Sequence, residues 1–125
     1  ALGDEREANL HVAQILEPGV ALELQVQSAW QAGASEAASH ALARWCTLPV
    51  APNAQRIRAS WSMRLGEPAL AVADLLPLVG HPTHGPAAAE LLGQAAQRTG
   101  TCAERREDVA RLGLPGILEA ACGVP

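Results

Sequence analysis

Four glycines, Gly3, Gly33, Gly66 and Gly100, recur at a nearly constant interval, and a proline follows each about half an interval later: Pro18, Pro49, Pro82 and Pro115. Two kinds of backbone punctuation held in phase constrain this chain more than its composition does. Glycine tolerates the left-handed geometry that closes a helix, and proline cannot continue one. Self-similarity at a period of thirty-odd residues marks a helical array, because one period holds two short helices and two turns.

The residues between the marks follow helical spacing. After Gly33, Ala37, Ala38, Ala41, Leu42, Trp45 and Leu48 form one apolar stripe, and Leu70, Ala71, Val72, Leu75, Leu76 and Val79 do so after Gly66. Leu22, Val26, Ala29 and Trp30 form a stripe before Gly33; Ala89, Leu92, Gly93 and Ala96 form one before Gly100. The expected helices span about 4–16, 20–32, 35–48, 53–65, 68–79, 86–99, 102–112 and 116–122. Thr101 with Glu104 fits a capping box, and Asp4 with Glu7 is a similar pair. Asn53 suits an N-cap, Pro68 and Pro86 suit first turns, and Pro77 should end or kink the fifth helix.

Composition points the same way. The chain has 125 residues, 49% of them apolar, yet only 2% are aromatic, with three Trp and no Phe or Tyr. A core of Ala, Leu and Val lets helices approach closely and lacks the aromatic content of strands. The expectation is one all-α domain over 1–125, with seven or eight helices in antiparallel pairs. Its units would be a half repeat at about 1–18, then 19–51, 52–85 and 86–125.

The net charge of −4 argues against a nucleic-acid partner, since phosphate binding needs a basic face. No apolar run approaches the ~18 residues of a membrane span, and no signal peptide is visible. Cys46, Cys102 and Cys122 are odd in number and lack CxxC spacing. They read as small apolar residues in a reducing, cytoplasmic compartment, without a disulfide or a zinc knuckle. The chain starts at Ala1 with half a unit, which also fits a processed or periplasmic fragment of a longer repeat protein.

Reaction chemistry has few carriers here. "GHPTHG" at 80–85 places His81 and His84 three apart, but zinc usually takes three or four protein ligands, and Asp74 and Glu90 are the nearest carboxylates. The pair reads as a solvated turn between units; a metal-dependent hydrolase built on His81 and His84 would need further ligands. Lys and Tyr are absent, and no GxSxG, HExxH or P-loop occurs. The expectation is therefore no enzyme, no catalytic residue, no metal and no cofactor.

The pattern resembles the tetratricopeptide repeat, a helix–turn–helix unit of about 34 residues. Ala8, Ala38 and Ala71 take the family's small position five after the glycine, and Val26, Ala59 and Gly93 its small position seven before. Leu22, Trp30 and Leu92 match large positions. Arg105, Gln25 and Arg58 depart from the pattern, and the prolines come slightly early.

That resemblance implies a right-handed solenoid of antiparallel helix pairs, a concave face lined by the first helices and a protein or peptide partner, in a scaffold or assembly factor of unspecified oligomeric state. The family's groove positions fall on Val20, Glu23, Gln27, Trp30 and Gln31, then Asn53, Arg56, Ser60, Met63 and Arg64, then Ala87, Glu90, Gln94, Gln97 and Arg98. Trp30 and Met63 would be apolar anchors, with Trp30 open between groove and core, and Trp45 and Trp61 leaning to core. The Lys and Asn clamp of carboxylate-binding co-chaperones is missing. "QSAWQAGASEAASHALARW" and "QRIRASWSMRLGEPALAVADLL" also look similar to small bacterial chaperones of type III secretion, which would cradle an aggregation-prone export substrate.

Overall fold

The computed structural model describes residues 18–123. Seven α-helices and one 3-10 turn make up the described chain, and no strand occurs among the described residues. They are α1 Pro18–Gln31, α2 Ser35–Trp45, α3 Pro52–Arg64, α4 Pro68–Leu75, a 3-10 turn Leu76–Leu78, α5 Gly85–Thr99, α6 Cys102–Arg111 and α7 Glu119–Cys122. The helix expected at 4–16, with Asp4, Glu7 and Ala8, lies outside the described residues.

The glycine turns are built alike. Gly33, Gly66 and Gly100 all have positive φ, between 67° and 74°. At Gly66 the amide donates to the Met63 carbonyl oxygen at 3.2 Å, and the Glu67 amide reaches back to the Ser62 carbonyl oxygen at 2.8 Å. The pairs Gly33–Trp30 with Ala34–Ala29, and Gly100–Gln97 with Thr101–Ala96, repeat that geometry. This is the Schellman closure, which satisfies the last carbonyls of a helix through one left-handed residue. Gly33, Gly66 and Gly100 are thus periodic helix stops.

Several local expectations meet a different outcome. Pro77 does end a helix, since α4 stops at Leu75 and tightens into the 3-10 turn. Asn53 does not cap α3: Ala51 takes that position with Pro52 in the first turn, and Asn53 Oδ1 accepts from Arg56. Proline's fixed φ pre-sets helical geometry one residue earlier than the side-chain signal suggests. Thr101 stands at the N-cap of α6 but makes no side-chain cap bond, because its hydroxyl pairs with that of Thr99 at 2.7 Å. The last helix is a single turn, Glu119–Cys122; 115–118 form turns instead.

The chain divides into two compact units at Val50/Ala51. In the first, α1 packs on α2 around Leu22, Val26, Ala38, Ala41, Leu42 and Trp45. Gly19 makes room there: a Cβ on it would lie 3.1 Å from a Val50 methyl and 3.3 Å from Trp45 Nε1. In the second, α3, α4, α5 and α6, with Leu118 just before α7, supply a core of Ala59, Met63, Ala71, Val72, Leu75, Ala88, Leu92, Val109 and Leu118. The positions expected to be small, Val26, Ala38, Ala59, Ala71 and Gly93, are all buried.

Two features of the second unit depart from expectation. Arg58, standing where the repeat pattern wants Leu, is buried and grips Asp74 of α4 in a two-pronged contact, Nε to Oδ2 at 2.9 Å and Nη2 to Oδ1 at 2.6 Å. Gln55 Nε2 donates to the Asp74 carbonyl oxygen at 2.9 Å. Cys102 and Cys122 form a disulfide with Cα atoms 5.8 Å apart, which corrects the expectation that no disulfide forms. The turn after α6 returns the chain alongside the start of that helix, a proximity that no local spacing encodes. Cys46 is outside any disulfide.

Removing one partner of a buried pair strands a charge, whereas replacing both does not. Asp74→Ala is expected to cost about 3–5 kcal/mol, and the double variant Arg58→Met/Asp74→Leu far less. Urea unfolding of the singles and the double checks this; equal losses in the singles and the double would refute it.

Candidate functional site

A cleft of about 320 Å³ opens between α3 and α5, lined by Arg56, Ile57 and Ser60 on one side and Ala87, Glu90, Leu91 and Gln94 on the other. Both helices precede a turn glycine, and both pack on α4, which lies between them in sequence. The lining is periodic. Arg56 and Glu90, Ile57 and Leu91, and Ser60 and Gln94 are each one repeat period apart, the same interval that separates Gly66 from Gly100. One helical register, repeated, places corresponding side chains across the cleft.

Four residues read from the sequence as groove positions, Arg56, Ser60, Glu90 and Gln94, therefore meet here, with Ala87 beside them. Ile57 and Leu91 escape the sequence reading. They form the apolar part of the lining, and the signal for them is the repeat period applied one residue further along each helix. Arg56 donates to Asn53 Oδ1 at 3.4 Å, the long end of a hydrogen bond, and among the described residues no ion pair joins it to Glu90. The Ser60 hydroxyl is turned to the Arg56 carbonyl oxygen, 3.3 Å away.

The remaining positions are placed elsewhere. Met63, read as an apolar anchor, is only 7% exposed and belongs to the core, so it is not a groove residue. Seven residues after Arg56, it projects from nearly the same side of α3, but at the end of that helix, where the core covers it. Its carbonyl oxygen accepts from Arg98 Nη1 at 3.2 Å, which ties Arg98 to the end of α3. Arg64 is exposed, with its guanidinium 4.9 Å from the centroid of the buried Trp61 ring. Gln97 is exposed on α5. In the first unit, Gln27, Gln31 and Trp30 are exposed on α1, Trp30 to 42%, and Glu23 is half-buried. Trp45 and Trp61 are buried.

No family model matches the chain, and comparison with curated proteins and with solved structures likewise finds no match.

The histidine turn leads into α5, one wall of this cleft. His81 Nδ1 accepts the backbone N–H groups of Thr83 and His84, each at 3.1 Å, which puts its own proton on Nε2. His84 occupies the N-cap of α5, with its ring centroid 4.9 Å from that of His81. Among the described residues no group of three or more His, Cys, Asp or Glu is placed to hold a metal ion. Asp74, the nearest carboxylate before the turn in sequence, is engaged by Arg58. The described residues include no helix long and apolar enough to cross a membrane.

The imidazole of His84 is held below its ordinary value of 6.5, first by desolvation, then by the positive charge of Arg56 and by His81. The folded state thus binds that proton less readily than the unfolded chain. The stability His84 contributes is present above about pH 6.5 and is lost as pH falls through its lowered pKa. An NMR titration is expected to place the His84 midpoint below 6.5, and Arg56→Gln to move it upward. An unmoved midpoint would show that Arg56 does not act on this ring.

Proposed function

We propose that the protein is a non-enzymatic interaction module that holds a peptide or helix of a partner protein in a groove formed by the first helices of tetratricopeptide-like pairs. The carrying observation is the α3–α5 cleft, where side chains singled out by the repeat register meet beside the apolar Ile57 and Leu91. The same periodicity supports the finer fold reading, a right-handed solenoid of such pairs. A cleft of about 320 Å³ is at the small end of ligand sites, enough for one or two side chains of a longer segment.

A lining of mixed polar and apolar side chains also favours an amphipathic helix as the bound element. That is the form in which the secretion-chaperone reading applies, with the export substrate's helix as ligand. A disulfide is ordinarily kept in oxidising compartments, so the cytoplasmic location expected from cysteine spacing is not carried into this proposal.

Filling the cleft tests it. Ala87→Trp places an indole in the cleft, and Ala69→Trp, at an exposed position on α4, is the control. With helicity matched by circular dichroism, the native chain and Ala69→Trp should retain one stoichiometric protein from source-cell lysate. Ala87→Trp should weaken its binding at least about tenfold, or about 1.4 kcal/mol. Undiminished binding by Ala87→Trp would move the site off this cleft.

A further inference from the structure

We infer that the Cys102–Cys122 bond is a thiol-responsive clasp that ties α7 to the start of α6 and so holds it against α5. The helix it holds, α7, has four residues and none of them is buried. One turn of helix does not persist in water by itself, since nucleation is unfavourable and few hydrogen bonds offset it. Its position depends on a short set of contacts. Leu118, just before it, is 2% exposed and enters the core. Ala121 lies against Gly93 so closely that a Cβ on Gly93 would fall 2.6 Å from the Ala121 methyl. Arg106 of α6 donates to the Cys122 and Gly123 carbonyl oxygens at 2.8 and 2.7 Å, closing the helix's C-terminal end. The disulfide supplies the covalent link, from the first residue of α6 to the last of α7.

The bond is placed where it can be opened. Both cysteines are partly buried, Cys122 with one side packed against the core, and neither is fully enclosed. A disulfide at such a position exchanges more readily than one sealed in an interior. Between the two cysteines only Val109 and Leu118 are buried, so opening the bond removes a constraint without dismantling the core around α3, α4 and α5. The exchange is a two-electron step with an external dithiol. Its thiolate attacks one sulfur, the mixed disulfide resolves onto the second thiol, and Cys102 and Cys122 leave as thiols while the reagent becomes a cyclic disulfide. The Cys122 thiol then has the Gly93 carbonyl oxygen 3.7 Å from its sulfur, a weak partner in place of a bond. Reduction would loosen residues 114–123 and uncover Gly93 on α5.

The test uses the full chain. Proteolysis without reduction should yield a peptide cross-linked through Cys102 and Cys122. Dithiothreitol in native buffer should open the bond, and hydrogen exchange read by mass spectrometry should then quicken at least about tenfold over 114–123 while α3 and α4 keep their rates. Cys102→Ser/Cys122→Ser should show the fast pattern with no response to dithiothreitol. Three results would overturn the clasp: no cross-linked peptide after oxidation with glutathione, a bond that opens only in denaturant, or exchange that quickens equally through α3 and α4. Should the double variant fail to fold, the dithiothreitol comparison on the native chain decides alone.

Discussion

The two-pronged contact of Arg58 with Asp74 sets the geometry on which the second unit depends. It crosses from α3 to α4 beneath the surface, with Gln55 bonded to the backbone of the same aspartate. A guanidinium and a carboxylate meeting in two parallel hydrogen bonds fix rotation as well as distance, which an Ala–Leu contact does not. With α3 held in that register, consecutive residues diverge: Arg58 faces the core, while Arg56 and Ile57 face the cleft. Since α5 packs on α4, the width of the cleft between α3 and α5 follows from where α4 sits. A buried ion pair is weak evidence for stability but reasonable evidence for a fixed arrangement.

The core that surrounds this pair is made of small pieces. Ala59, Ala71, Ala88, Ala89, Ala95 and Gly93 are buried, and leucines and valines fill the remaining volume. Close approach of helix backbones replaces the burial that Phe and Tyr would have provided. It leaves little tolerance for added volume, because well-packed interiors transmit strain and do not absorb it. Gly93 is the extreme case, with the Ala121 methyl in the space its own side chain would need.

What the sequence made legible was the part of the fold written by the backbone. Gly33, Gly66 and Gly100 announced helix stops because a left-handed closure has few alternative residues, and Pro77 announced the end of α4 because its ring forbids continuation. The buried small positions followed from the same period. Less legible were contacts between residues distant in sequence. Arg58 looks like a departure from the repeat until Asp74 is seen opposite it. Cys102 and Cys122 carry no spacing signal, because the turn after α6 is what joins them. Met63 fails as an anchor for a geometric reason. Seven residues at about 100° each bring Met63 back to nearly the direction of Arg56, so helical register alone does not tell that the last turn of α3 is covered by the core.

The cleft and the histidine turn illustrate how a repeat differentiates itself. The repeat delivers Arg56 and Glu90 to equivalent places one period apart, yet their charges are opposite. A groove whose two walls carry opposite charges discriminates between the two orientations of a charged segment, because one orientation places like charges together. The turn adds to this asymmetry. His84 begins α5 beside Arg56, and that cationic neighbour favours the neutral imidazole. Acidification would work against this preference by adding a second positive charge next to the first. Proton uptake by His84 thus costs stability at the start of α5, the helix that carries Glu90, Leu91 and Gln94 to the cleft.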